Sequence, residues 1–170
     1  MLLAYTGCRV GEALALTWQD VDLGLGTIVI SKSVQRVDKE WVVTSPKTRS
    51  GTRVISLPSE AVQVLRIQAE RCVAQGIRDL VFPSGQGTPL HATTVAHAMR
   101  RECDRLGLCR LTPHGLRHLH ASLLLAQGLP IPAVSQRLGH ANAAITMSTY
   151  AHYLGRDDAP ATEAIGRALG

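Results

Sequence analysis

The sequence predicts an α+β fold, a mostly helical single domain with a small antiparallel β-sheet. Two long stretches carry apolar residues at helical spacing, Ala61, Leu65, Ala69, Cys72 and Val73 and then Val95, Met99, Cys103 and Leu106. Each closes at a glycine, Gly76 and Gly107. Between residues 27 and 57, in contrast, short β-branched runs are punctuated by glycine and polar turns. The chain has 170 residues, 45% hydrophobic and 18% charged, which suits one globular domain with a real core and excludes a disordered chain. It carries no internal repeat, low-complexity tract or linker, so residues 1–170 read as one domain.

The first residues read as the end of a helix, and residues 9–16 predict a short helix with Val10, Ala13 and Leu14 on one face and Thr6 or Gly7 near its start. Gly24 and Gly26 turn the chain into a strand at 27–30, and residues 40–44 and 53–57 predict two more. Lys47 falls in the connection between these last two, an exposed hairpin tip from which a long cationic side chain reaches outward. Residues 59–75 and the stretch from about 93 to 107 predict helices. Pro113 after Thr112 opens another, on which His114, Arg117 and His118 share one face and Leu116, Leu119 and Leu123 another. Such a helix buries its leucines and turns its polar stripe to a groove. Pro130 and Pro132 break the chain before a short helix that ends at Gly139, and a last helical segment from about Asn142 delivers Tyr150.

Composition narrows the partners. The net charge of +5 suits a phosphate backbone, although many enzymes reach it without touching nucleic acid. Cys8, Cys72, Cys103 and Cys109 form no CxxC pair and read as reduced thiols of a cytoplasmic protein. No apolar stretch is long enough to cross a membrane, and the N-terminal residues lack the charged region of a signal peptide. The stretch from Gly24 to Gly26 is no nucleotide-binding loop. His114 and His118 have metal-pair spacing, but neither an HExxH motif nor an evident third ligand accompanies them.

The chemistry concentrates in Thr6-Gly7-Cys8-Arg9-Val10-Gly11-Glu12, in Thr112-Pro113-His114-Gly115-Leu116-Arg117-His118, in Leu138-Gly139-His140 and at Tyr150. Two guanidinium forks can hold phosphodiester oxygens, imidazoles can move protons, and a phenol can attack phosphorus. That is a set of groups for phosphoryl transfer.

These blocks, with residues 45–58 and Thr149-Tyr150-Ala151-His152, resemble in order and over nearly the whole chain the catalytic domain of tyrosine-type site-specific recombinases, the phage integrase family. The resemblance implies that family's DNA breaking-rejoining fold, with Arg9, Lys47, His114, Arg117, His140 and Tyr150 as catalytic residues. Tyr150 would attack the scissile phosphate of double-stranded DNA, releasing a 5′-hydroxyl and leaving a 3′-phosphotyrosyl bond. Arg9 and Arg117 would brace the phosphate oxygens, Lys47 would protonate the leaving oxygen, His114 would accept the tyrosine proton and His140 would donate a hydrogen bond to the phosphate. No cofactor is implied, neither a metal nor ATP. Tyr153 is a rival nucleophile three residues on, and Arg49 and Arg53 are neighbouring cations that share a basic hairpin with Lys47.

Glu12 and Asp22 read as structural carboxylates that orient Arg9 or cap chain ends, His118 as standing behind the reacting groups, and His152 as incidental. Gly115 and His120 depart from the family pattern, and Gly115 weakens its helix's first turn by up to ~1 kcal/mol. The resemblance further implies an N-terminal core-binding domain absent here, a homo-tetramer assembled on DNA with a monomer off it, and a tail after Tyr150 that packs in cis or on a neighbour. Two other readings stand beside the recombinase: an inactive DNA-binding remnant of an integrase, and a type IB topoisomerase-like enzyme that relaxes DNA. The enzymatic readings require the arginines and Tyr150 to share one side of the domain.

Overall fold

A computed structural model describes residues 1–46 and 51–150 of the chain. Lys47 and Arg49, and beyond Tyr150 the rival Tyr153, His152 and the tail, lie outside the described residues.

The chain opens with helix α1 (Leu2–Thr6), which Gly7 ends in the left-handed conformation at φ 63°. Glycine is required there twice over, because a Cβ would also stand 2.6 Å from Cδ2 of His120. Helix α2 (Val10–Leu14) starts at Arg9, its N-cap, as the sequence predicts, but it ends earlier than residue 16, and Thr6 and Gly7 belong to the end of α1. Its start is fixed by Glu12, whose Oε2 accepts the backbone N–H of Arg9 at 2.8 Å.

After a 3-10 turn (Trp18–Asp20), β1 (Val21–Asp22), β2 (Thr27–Ile30) and β5 (Arg53–Ser56) form an antiparallel sheet in the order β1-β2-β5. Asp22 caps the first turn, its Oδ1 accepting the N–H groups of Gly24 and Leu25 at 2.9 and 2.8 Å. A second sheet pairs β3 (Ser33–Val37) with β4 (Glu40–Thr44). This corrects the expected hairpin between residues 40–44 and 53–57, because the two strands flanking Lys47 belong to different sheets. Strand β4 is taken instead by β3, through the two-residue turn Asp38-Lys39 with φ 49° and 70°. Two left-handed residues give the turn a twist that matches the paired strands.

Helices α3 (Ser59–Ala74) and α4 (Ala92–Arg105) follow, then α5 (Pro113–Ala126), α6 (Ile131–Leu138) and α7 (Ala143–Tyr150). The main core joins the inner face of the three-stranded sheet, Ile28, Ile30 and Ile55, to Leu65 of α3 and to Leu16 and Val81. A second core holds Ala121 and Leu125 of α5, Val134 and Leu138 of α6 and Tyr150 of α7. Tyr150 is thus anchored by packing, only 3% exposed.

Helix α5 departs from its predicted faces. Leu119 and Leu123 are 43% and 55% exposed, whereas Arg117 and His120 are buried. The polar pair turns inward because the carbonyls at the end of α1 receive it: Nη1 of Arg117 donates to Gly7 O and Nδ1 of His120 to Ala4 O, each at 2.8 Å. Nε2 of His120 accepts from Nε of Arg137 at 3.1 Å, which leaves the ring proton on Nδ1. The weak first turn at Gly115 is offset by Pro113 and by Thr112, whose Oγ1 accepts the Gly115 N–H at 2.9 Å. Replacing Thr112 by Ala should cost about 1 kcal/mol, read as a lowered urea midpoint at unchanged slope.

Candidate active site

The start of α2, the Ser33–Thr44 end of the β3–β4 sheet, the first turns of α5 and the α6–α7 corner enclose a groove of about 920 Å³. Its wall carries Arg9, His114, Arg117, His140 and Tyr150, every sequence-predicted site residue among those described. The arginines and the tyrosine therefore share one side of the domain. Pro46 and Gly51, the described residues on either side of Lys47, also line this groove.

Each group is held by its local structure. Arg9 caps α2 with its side chain half exposed, and its Nη1 meets Oε1 of Glu12 at 3.1 Å. Arg117, one turn into α5, is 4% exposed. One arm of its fork is spent on Gly7 O, while Nη2 is buried and has no hydrogen-bond partner among the described residues. His140 follows Gly139, the left-handed cap of α6, and its Nδ1 lies 2.7 Å from Oγ1 of Thr146. With Thr146 fully buried, that contact fixes the ring from behind. The hydroxyl of Tyr150 reaches Nδ1 of His118 at 2.9 Å, and the His114 ring stands edge-on to His118 with 4.4 Å between centroids.

Behind the groove lies a buried ion pair that the sequence did not disclose. Arg53 is 7% exposed, and its Nη2 and Nη1 reach the two oxygens of Glu12 at 2.8 and 3.3 Å. Its Nε donates to Arg137 O at 2.8 Å. Arg53 is therefore a bracing residue inside the domain, a correction to its reading as part of a basic hairpin. Glu12 does orient Arg9, as expected, and it does so while tied to Arg53. The tie leaves no room at Gly139, where a Cβ would lie 2.6 Å from Nη1 of Arg53.

The electrostatics are those of a pocket prepared for an anion. Burial and then the charge of Arg9 lower the Arg117 guanidinium to about 10. Burial, then Arg117 and Arg9, push His140 down from 6.5 to about 4, so the ring is neutral at neutral pH. His118 is lowered too, by burial and then by His114 and Arg117. Burial raises Glu12, but the hydrogen bond and charge of Arg53 outweigh it and the carboxyl ends below its usual range. Cys8, beside these groups, is fully buried and pushed up to about 11 by that burial, a thiol and not a thiolate nucleophile. Among the described residues no group of three or more His, Cys, Asp or Glu side chains can hold a metal ion, and no helix is long and apolar enough to cross a membrane.

Sequence reasoning missed Arg53, Thr146 and the contact made by His118. For Arg53 a signal was present: it alternates in phase with Ile55, the inward residue of β5. For Thr146 no local pattern marks the position.

Known proteins carry the same arrangement of chain. The ICEBs1 integrase of Bacillus subtilis is 32% identical over 154 residues, which cover 86% of this chain and 42% of that protein. The integrase of Staphylococcus phage L54a is 31% identical, covering 88% of this chain and 45% of the phage protein. The chain thus spans less than half the length of these relatives. Among solved structures, the Tn1549 transposon integrase in complex with transposon right end DNA superposes with a TM-score of 0.82 at 23% identity, over 99% of this chain and 56% of that one. XerA recombinase does so with a TM-score of 0.71 at 28% identity, over 99% and 55%. The fold is that of the matched part of these integrase and recombinase chains, and the sequence model of the phage integrase family matches residues 1–155. The chain belongs to the phage integrase family.

Proposed function

We propose that the chain is the catalytic domain of a site-specific DNA recombinase, cutting and rejoining double-stranded DNA through a 3′-phosphotyrosyl intermediate. The observation that carries this reading is Nη2 of Arg117, which is buried and has no hydrogen-bond partner among the described residues, on a residue that lines the same groove as Tyr150. A buried N–H without an acceptor costs roughly 1–3 kcal/mol, more on a charged group. A phosphodiester oxygen in the groove relieves that cost, and Arg9 from the opposite helix supplies the second fork.

Tyr150 attacks phosphorus and the P–O5′ bond breaks, so the bond energy is kept in the phosphotyrosyl ester and the rejoining step needs no added energy source. A free phenol holds its proton up to pH ~10, so Tyr150 must give its proton to a base as it attacks, and the histidine pair of α5 is the acceptor. With Nδ1 engaged by Thr146, His140 offers Nε2–H to a phosphate oxygen. Lys47, between Pro46 and Gly51 at the groove, is the general acid for the leaving 5′-oxygen in this scheme. DNA is the partner, in keeping with the net charge of +5. A synaptic homo-tetramer is the assembly in which strands would be exchanged.

The test is covalent trapping on a pool of nicked duplexes of randomised sequence, labelled on the strand that stays attached. The wild type and Tyr153→Phe should form an adduct that survives denaturation, and Tyr150→Phe should form none. An adduct lost in Tyr153→Phe moves the nucleophile to Tyr153. No adduct from the wild type would overturn the enzyme and leave the DNA-binding remnant.

A further inference from the structure

We infer that His118 is the proton acceptor for Tyr150 in strand cleavage and that His114 stands behind it as a second imidazole. The inference rests on the recombinase reading and assigns a step within it. Helix α5 projects both histidines onto one face, but it is Nδ1 of His118 that meets the attacking hydroxyl, at 2.9 Å. The His118 and Tyr150 rings lie 5.6 Å apart between centroids and tilted by 58°. His114 reaches this pair by standing edge-on against His118, at 89° between the rings, and is itself exposed to the groove. Its place is at the mouth, that of His118 at the reacting atom.

Packing holds the pair in this relation. Tyr150 is anchored in the second core with Leu138 and Val134, and the Arg117 side chain next to His118 is pinned to Gly7 O. A tyrosine fixed from behind and a histidine fixed by its helix need no rearrangement for proton transfer, which is what a general base requires.

The Oη–H bond of Tyr150 breaks and its proton passes to Nδ1 of His118, so the neutral acceptor must carry its own hydrogen on Nε2. The Oη–P bond forms, the P–O5′ bond breaks, and the 5′-oxygen takes its proton from the general acid. On rejoining, the 5′-hydroxyl attacks, its proton returns to that acid, and His118 gives its proton back to the departing phenolate.

His118 is faced by His114 and Arg117 on its own helix, by Tyr150 on α7, and across the groove by Arg9, Glu12 and His140. Burial, and then His114 and Arg117, lower the ring below its ordinary value of 6.5 and favour the neutral form that accepts a proton. Acidification protonates it and stops the step.

Two variants separate a base from a positioning group. His118→Phe keeps the ring volume and removes the acceptor, whereas His118→Gln keeps an oxygen acceptor that cannot take the proton. On the nicked duplex pool, both should form adduct about 100-fold more slowly than the wild type or worse. The acid limb of the wild-type pH–rate profile should vanish from both. A 5′-bridging phosphorothiolate, whose sulfur leaves without an acid, should restore Lys47→Ala but neither His118 variant. Wild-type rate in His118→Gln, or an acid limb that survives in His118→Phe, would overturn the assignment in favour of positioning alone. A loss confined to His114→Phe would return the role to His114.

The contact itself is read without DNA, by ¹⁵N NMR titration of the histidines. Tyr150→Phe removes a donor that favours the neutral ring, so the His118 pKa should rise. An unchanged value would show that the hydrogen bond is not formed in solution, whatever the adduct assay gives. A wild type that forms no adduct while this pKa does rise would sink the recombinase chemistry and leave the contact standing.

Discussion

Glu12→Gln should destabilise the chain by about 3–5 kcal/mol, the range for breaking one partner of a buried ion pair. The substitution keeps the shape and removes the charge. Arg53, with its side chain 5% exposed, then holds a guanidinium with no counter-ion. The same carboxylate also caps α2 at Arg9, so the start of that helix loosens with it. Urea denaturation reads the loss, and Arg53→Met in the Glu12→Gln background should recover much of it, because the unpaired charge is then gone. A Glu12→Gln variant within 1 kcal/mol of the wild type would mean that the pair contributes little. The pH dependence carries the same signature. A carboxyl lowered in the folded state stabilises above its ordinary value of 4.5, and that contribution is lost as pH falls through the lower folded value. His140 acts in an adjoining window. Its folded value is about 4 against an ordinary 6.5, so the unfolded chain binds the extra proton between those values and stability declines as pH falls across them. Acid should therefore weaken the wild type in two overlapping stretches, and Glu12→Gln should lose the lower one.

The parts of the fold written in local signals were legible in the sequence. The helices α3 and α4 follow apolar spacing and glycine stops, α6 follows its prolines and Gly139, and β2, β4 and β5 follow β-branched runs. What escaped was decided by distant partners. The turn at Asp38-Lys39 adopts two left-handed residues without a glycine to announce it, and so the pairing of β4 with β3 was hidden. The buried face of α5 was misjudged because Leu119 and Leu123 look like core, while the carbonyls of Ala4 and Gly7 that draw His120 and Arg117 inward lie more than a hundred residues away.

The site divides along the same line. The site residues the sequence singled out, Arg9, His114, Arg117, His140 and Tyr150, stand in short spaced motifs and come together in one groove. Those that brace them do not announce themselves. Arg53 looks like a hairpin cation until its strand is known to face inward, and Thr146 matters only because α7 folds back on His140. A motif records which groups a reaction needs. The supporting contacts depend on the fold that carries it.

Arg117→Lys should slow adduct formation by about 100- to 1000-fold, the loss expected when one preorganised donor to a transition-state charge is removed. The guanidinium performs two tasks at once. Nη1 is anchored to Gly7 O at 2.8 Å, while Nη2 of this groove-lining residue lies buried without a hydrogen-bond partner among the described residues. An ammonium on a shorter reach retains the charge but not the fork, so it can meet Gly7 O or the phosphate but not both. If it stays on Gly7 O, stability holds while the rate falls; if it turns to the phosphate, the tie between α5 and the end of α1 is lost and the denaturation midpoint drops instead. Measuring both quantities on the one variant separates the tasks. A fall in rate at constant midpoint assigns Arg117 to the phosphate. A fall in midpoint with the rate preserved would make it a strut, and the unpartnered Nη2 would then need another explanation than an anion in the groove.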